Sequence, residues 1–172
     1  MTVKRTSRKD PIERVLAMLR KSRVLVGIPA EAGRDGGGPS NAVLGYLHEY
    51  GEPERNIPAR PFLRPGVESV GEKIVEELQR GAQRAVAVVI GPSGSFEQAI
   101  PEVDQALHRI GLVAQNAVRA RISEGIPPPL SPRTIYARLH RKKGRRSGGE
   151  MKPLIDSGQL RRSVTYVVET RR

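Results

Sequence analysis

For covalent or metal chemistry this chain has three histidines, 18 carboxylates and no cysteine. His48, His108 and His140 fall in three separate segments, and His48-Glu49 lacks the pair of histidines one turn apart that holds zinc on a helix face. His48 reads instead as a residue packed against the core with one nitrogen bonded locally. Asp156-Ser157 sets an acid beside a hydroxyl. Nucleophilic catalysis also needs a positioned base and oxyanion donors, and neither a histidine nor a glycine elbow accompanies the pair. A helix cap is the simpler role for it. Glu72, Glu76 and Glu77 share one helical stretch with Lys73 and Arg80 and read as a solvated, salt-bridged face. The glycine run from Gly33 to Ser40 lacks the Gly-Lys-Ser/Thr of a phosphate-binding loop. The expectation is a chain with no catalytic residues, no metal site and no cofactor, and so not an enzyme.

The charge pattern points to assembly or nucleic acid. Net charge is +12, and it is unevenly placed. Residues 1–23 hold eight Lys/Arg against two acids, residues 24–130 hold ten against 13, and residues 131–172 hold 12 against three. A slightly acidic body therefore carries two basic ends. Arg138, Arg141, Lys142, Lys143, Arg145 and Arg146 put six cations into nine residues, a density that neutralises phosphates without reading bases. The same tract fits an acidic protein surface or a purely solvated arm. Arg34 and Asp35 sit in the glycine-rich loop, which reads as a reaching loop that orders against a neighbour.

The elements that would position these residues follow from periodicity and punctuation. Residues 1–9 read as a flexible basic arm and 10–172 as one domain, with a flexible basic insertion at 138–149. Asp10-Pro11 starts a helix carrying Ile12, Val15, Leu16 and Leu19, and Arg23 to Pro29 reads as a strand. Ser40 or Asn41 caps a helix that Gly51 ends. Pro58 and Pro61 stiffen the connector that presents Phe62 and Leu63. A helix is expected from about Val67 to Ile90, a break at Gly91–Ser95, and a further helix from about Pro101 to Glu124. An extended proline run, a short helix over Thr134–Leu139, a cap at Asp156 and a strand over Ser163–Val168 complete the reading. The fold class expected is α+β, a small mixed sheet packed against several helices.

Composition narrows the classes. With no Trp, two Phe and four Tyr, the core must be aliphatic, and base stacking or a flat cofactor is poorly served. No apolar run reaches the roughly 20 residues of a membrane span, and the basic N-terminus leads into an amphipathic helix instead of a signal-peptide core. The expectation is a protein made in the cytoplasm with no membrane partner.

Two segments carry a resemblance. They are Asn41-Ala-Val-Leu-Gly-Tyr-Leu-His-Glu-Tyr-Gly51 with Ile57-Pro-Ala-Arg-Pro-Phe-Leu-Arg-Pro65, and Lys152-Pro-Leu-Ile-Asp-Ser-Gly-Gln-Leu-Arg-Arg-Ser-Val-Thr-Tyr166. With Gly27 and Leu130 to Ile135 between and before them, their order resembles tailed-bacteriophage neck proteins, the tail-completion or head–tail joining subunits. The resemblance implies a structural virion protein, assembled in the host cytoplasm, whose copies form a ring of six around the DNA channel. Its partners would be itself, the head connector or stopper, and the tail terminator or tube, with non-specific contact to channel DNA. It implies Tyr50, Gly51, Arg60, Pro61, Phe62, Leu63, Asp156, Gly158 and Leu160 as structural anchors. Arg34, Asp35, Arg138 and the following cations would be interface or channel contacts. The alternative from another class is a free basic nucleic-acid-binding protein.

Overall fold

The computed structural model describes residues 10–33, 38–140 and 151–170. The chain is α+β: among the described residues, helices α1 (Pro11–Lys21), α2 (Asn41–Tyr50), α3 (Leu63–Glu68), α4 (Gly71–Ile90), α5 (Phe96–Glu124), α6 (Pro132–Leu139) and α7 (Gln159–Ser163) accompany strands β1 (Ser22–Gly27) and β2 (Thr165–Thr170). The sheet is a two-stranded antiparallel ribbon where a mixed sheet was expected. Its register is marked by the Ser22–Thr170 hydroxyl pair at 3.1 Å and the Arg23–Glu169 ion pair at 3.5 Å. The contacts divide the chain into two compact units. One comprises the residues up to Leu25, Glu72–Leu112 and those from Val167 onward; the other comprises Val26–Gly71 and Val113–Tyr166. The strands and α5 contribute residues to both.

In the first unit, Val15, Ala85, Ala99, Val103 and Leu107 are buried, with Met18, Leu19, Val24, Val88, Phe96 and Val168 packed around them. Small residues let α4 and α5 approach closely: a Cβ built at Gly81 would overlap that of Ala106. Two ion pairs flank this contact with their charges exchanged. Glu77 of α4 meets Arg109 of α5 at 3.7 Å, and Arg84 of α4 meets Glu102 of α5 at 3.1 Å. Each pair is partly exposed and worth little alone, but a slip of one turn would break both.

Helix starts and stops agree with local chemistry more than with proline counting. Asp10 caps α1 by accepting from the Ile12 amide at 3.0 Å. A start at Pro101 was expected for α5, yet the helix begins at Phe96 and carries Pro101 within it. The reason is a reciprocal capping box: the Ser95 hydroxyl accepts from the Gln98 amide at 3.3 Å, and the Gln98 side chain accepts from the Ser95 amide at 3.2 Å. Beside it Glu97 is held below the usual carboxylate range by its own backbone N–H first, then by Arg14. Its contribution is therefore present above the ordinary carboxylate pKa and is lost as pH falls from there through the lowered value. The single helix expected from Val67 is interrupted by a turn at Ser69-Val70, so that Gly71 opens α4. The ambiguous stretch Ala85–Ile90 is helical.

The second unit is built on Phe62, Val118, Ile122, Ile126, Leu154, Ile155, Leu160 and Val164, with Val26, Ile28, Leu44, Leu63 and Val67 against them. Gly66 is needed because Val118 Cα would lie 2.8 Å from an added Cβ.

Gly81→Val forces two methyl groups into the α4–α5 contact. It should destabilise the protein by about 1–3 kcal/mol through overpacking, whereas Gly71→Ala, with open space around it, should not. Parallel urea titrations of the two variants check this.

Candidate functional site

The chemistry-bearing residues of the two sequence signatures converge in the second unit, and they act mainly on backbone. Ser40 caps α2 by accepting from the Val43 amide, and Gly51 ends it with φ +77°. Gly51 also lets the connector turn back, since a Cβ there would stand 2.7 Å from the Ala59 nitrogen. The returning chain hydrogen-bonds α2 directly, Arg60 N–H to the His48 carbonyl at 2.6 Å. Glu49 then does what no residue beside α3 does. Its carboxylate accepts the amides of Phe62 at 2.7 Å, Leu63 at 2.9 Å and Arg64 at 3.1 Å. Phe62, at the N-cap position, has no capping side chain of its own. Glu49 is therefore the N-terminal cap of α3 supplied from α2, with charge favourable to the helix dipole.

Three cations repeat the theme with carbonyls. Arg60 is 7% exposed and donates from Nε and Nη2 to Pro128 O at 3.0 and 2.8 Å, and from Nη2 to Pro129 O at 3.2 Å. Arg138 is 8% exposed and donates to Lys152 O at 3.0 Å and Ile155 O at 2.7 Å, with Asp156 at 3.7 Å. Arg119 donates to Val164 O at 2.8 Å. Burial lowers the pKa of Arg60 from its ordinary value.

Around Arg60 and Arg138 lies a cavity of about 440 Å³. Both signatures and the Leu130–Ile135 segment line it, through Asn41, His48, Ile57, Ser131, Thr134 and Ser157 among others. A second recess, about 370 Å³ and mostly apolar, runs between Ile28, Gly45, Phe62 and Leu63 with Tyr46 and Tyr50 at its rim. The two tyrosines are 66% and 68% exposed, and with Val43 at 48% they form a stripe at helical spacing on α2. Their ring centroids lie 4.8 Å apart.

The anticipated residues sort as follows. Phe62 (1% exposed), Leu160 (8%) and Arg60 are interior, Leu63 packs on the core, and Gly51 and Gly158 adopt positive φ. Pro61 and Tyr50 are surface residues. Tyr50 faces outward because the 3.6-residue period of α2 turns Asn41 and Gly45 inward. The N-cap position of α7 is Gly158, and the Asp156 carboxylate lies 3.7 Å from Arg138 Nε. Arg138 differs most from expectation. It belongs to α6 and is buried against carbonyls, so it is no part of an exposed basic arm. Arg34, Asp35, Arg141, Lys142, Lys143, Arg145 and Arg146 lie outside the described residues. Glu49 stands inside the first signature, but its role was not read from sequence. The signal was there, a helix starting at Phe62-Leu63 with no Ser, Thr, Asp or Asn before it.

Among the described residues no cluster of three or more His, Cys, Asp or Glu could hold a metal ion. His48 lines the cavity, and His140 stacks on Tyr136 with centroids 3.9 Å apart.

No family model matches the chain, and no solved structure matches it. A stretch of 42 residues, 23% of this chain, is 43% identical to an uncharacterized protein of Methanocaldococcus jannaschii. That stretch spans 31% of the relative, less than a third of its length, and it brings no functional assignment with it.

Glu49→Ala leaves three amides at the start of α3 without their acceptor. It should cost about 1–3 kcal/mol in guanidinium unfolding, while Glu54→Ala, on an exposed turn, should be neutral. Phe62→Ala should cost more, about 3–5 kcal/mol, as a cavity in the same core.

Proposed function

We propose that this chain is a structural virion protein of a tailed phage, a subunit of the neck ring that completes the tail and joins it to the head connector. The observation that carries the reading is the ordered set of sequence signatures that resemble those of neck proteins. Residues of both signatures and of the Leu130–Ile135 segment line one cavity, and Phe62 and Leu160 meet in one core. Such a unit supports a role in presenting surfaces. Tyr46, Tyr50 and Val43 offer an exposed aromatic stripe beside an apolar recess, the composition typical of protein contacts. Heterologous contacts between copies of one chain close into rings when the rotation closes. The basic residues at the two ends would lie toward DNA or toward acidic neighbours.

The test is a phage from which the gene has been deleted, examined by negative-stain electron microscopy. Full heads beside separate tails, or tails with unfinished ends, are expected. Normal particles that infect normally would overturn the proposal.

A free nucleic-acid-binding protein is favoured by one observation, the +12 charge with its cation-dense tract. Replacing Arg141, Lys142, Lys143, Arg145 and Arg146 with Gln should flatten the dependence of duplex-DNA affinity on salt if the tract neutralises phosphates. Tight binding by the lone wild-type monomer at physiological salt, lost in this variant, would favour that reading over the neck.

A further inference from the structure

The buried guanidinium of Arg60 has no carboxylate partner among the described residues. Its Nε and Nη2 are committed to the carbonyls of Pro128 and Pro129, and those are neutral acceptors. Nη1, which carries two further N–H groups, donates to no atom of the described residues. A cation 7% exposed is ordinarily matched by an anion, because burial without one leaves its charge uncompensated. The downward pKa shift of Arg60 has desolvation as its cause, with no carboxylate opposing it.

The surroundings supply room for the missing partner. Arg60 lines the cavity of about 440 Å³, within the size range of small-ligand pockets. A second buried arginine, Arg138, lines it too, against one carboxylate, Asp156, so the lining is net positive. Ser131 and Thr134, at the N-terminus of the eight-residue α6, also line it, their hydroxyls 2.9 Å apart. Leu44, Ile57, Pro58, Leu130, Leu154 and Leu160 give apolar walls. The planar arginine fork suits a carboxylate, and apolar walls around a single charge suit the carbon framework that carries it. A double helix is too wide for a recess of this kind, so backbone phosphates of duplex DNA are poor candidates.

We infer that this cavity is a carboxylate-binding site, with Arg60 Nη1 as the principal donor. The natural ligand is an acidic side chain of a neighbouring protein or a free small carboxylate. Both present the same group, and the inference stands whether or not the neck reading holds.

The experiment follows the Arg60 Nε–Hε signal of isotope-labelled full-length protein by NMR, in chloride buffer at constant ionic strength. The probes are acetate, glutarate, N-acetyl-Leu-Glu-Leu-amide and the same peptide with Gln. A saturable shift with the Glu peptide, about tenfold weaker with the Gln peptide, is expected for a charge-assisted site. Stronger binding of the Glu peptide than of glutarate or acetate would identify a protein side chain as ligand, and the reverse order a free carboxylate. Arg60→Lys loses the forked contacts to the Pro128 and Pro129 carbonyls, so its failure to respond would not separate lost binding from lost folding. The companion variant is therefore Ser157→Glu, which adds a carboxylate to the lining at an exposed position and should abolish the response while the circular dichroism spectrum is retained. No saturable response to any carboxylate, equal response to the Glu and Gln peptides, or undiminished binding by folded Ser157→Glu would each overturn the inference.

Discussion

Proline-punctuated backbone cannot satisfy its own carbonyls and amides, and the second unit depends on side chains that do so for it. The segments around Pro58–Pro65, Pro127–Pro132 and Lys152–Asp156 form little regular structure. Phe62, Leu154 and Ile155 from the first and last are buried in the core, while the proline run is exposed or half-buried and is tied to the buried Arg60 through its carbonyls. Each buried polar group left unmatched there would cost on the order of 1–3 kcal/mol. Glu49 accepts the three amides that open α3, Arg60 holds the carbonyls of Pro128 and Pro129, Arg138 holds those of Lys152 and Ile155, and Arg119 holds that of Val164. These long-range bonds tie segments that helix or sheet ladders would otherwise have to join.

The same constraint explains why the signatures have their composition. Gly51 turns the chain back so that Glu49 and the start of α3 meet, and Phe62 fills the space beneath. Arg60 follows two residues before Phe62 and reaches the proline run instead of solvent. A motif built this way is structural in its charged residues as well as its apolar ones. It leaves α2 with an outer face that the fold does not use, and there the tyrosines lie exposed.

Much of the fold was legible. Asp10-Pro11, Ser40 with Gly51, and Ser131-Pro132 mark helix ends by local chemistry, and the structure has helices at each. A start at Pro101 was expected for α5, but the Ser95/Gln98 capping box, which satisfies two amides where the proline forfeits one bond, sets it at Phe96. Cationic residues were the harder case. Composition treats Arg60, Arg119 and Arg138 like any surface arginine, and only tertiary geometry shows that their acceptors are main-chain carbonyls 14 to 69 residues away in sequence. The exposure of Tyr50 was hidden for the opposite reason. An aromatic residue beside a glycine stop reads as a packing anchor, and the helical phase that turns it outward depends on which face meets the core.

Amide hydrogen exchange resolved by residue, at neutral pH and under native conditions, tests the side-chain support of the second unit most directly. The amides of Phe62 and Leu63 stand at a helix start, where no carbonyl within α3 can accept them. If Glu49 holds them as the geometry indicates, they should exchange as slowly as the amides of Val118 and Ile122 in the same core, by opening of the whole unit. Exchange at rates near those of an unstructured peptide would show that the cap is not formed, and with it would go the claim that these charged side chains hold the proline-rich backbone in place.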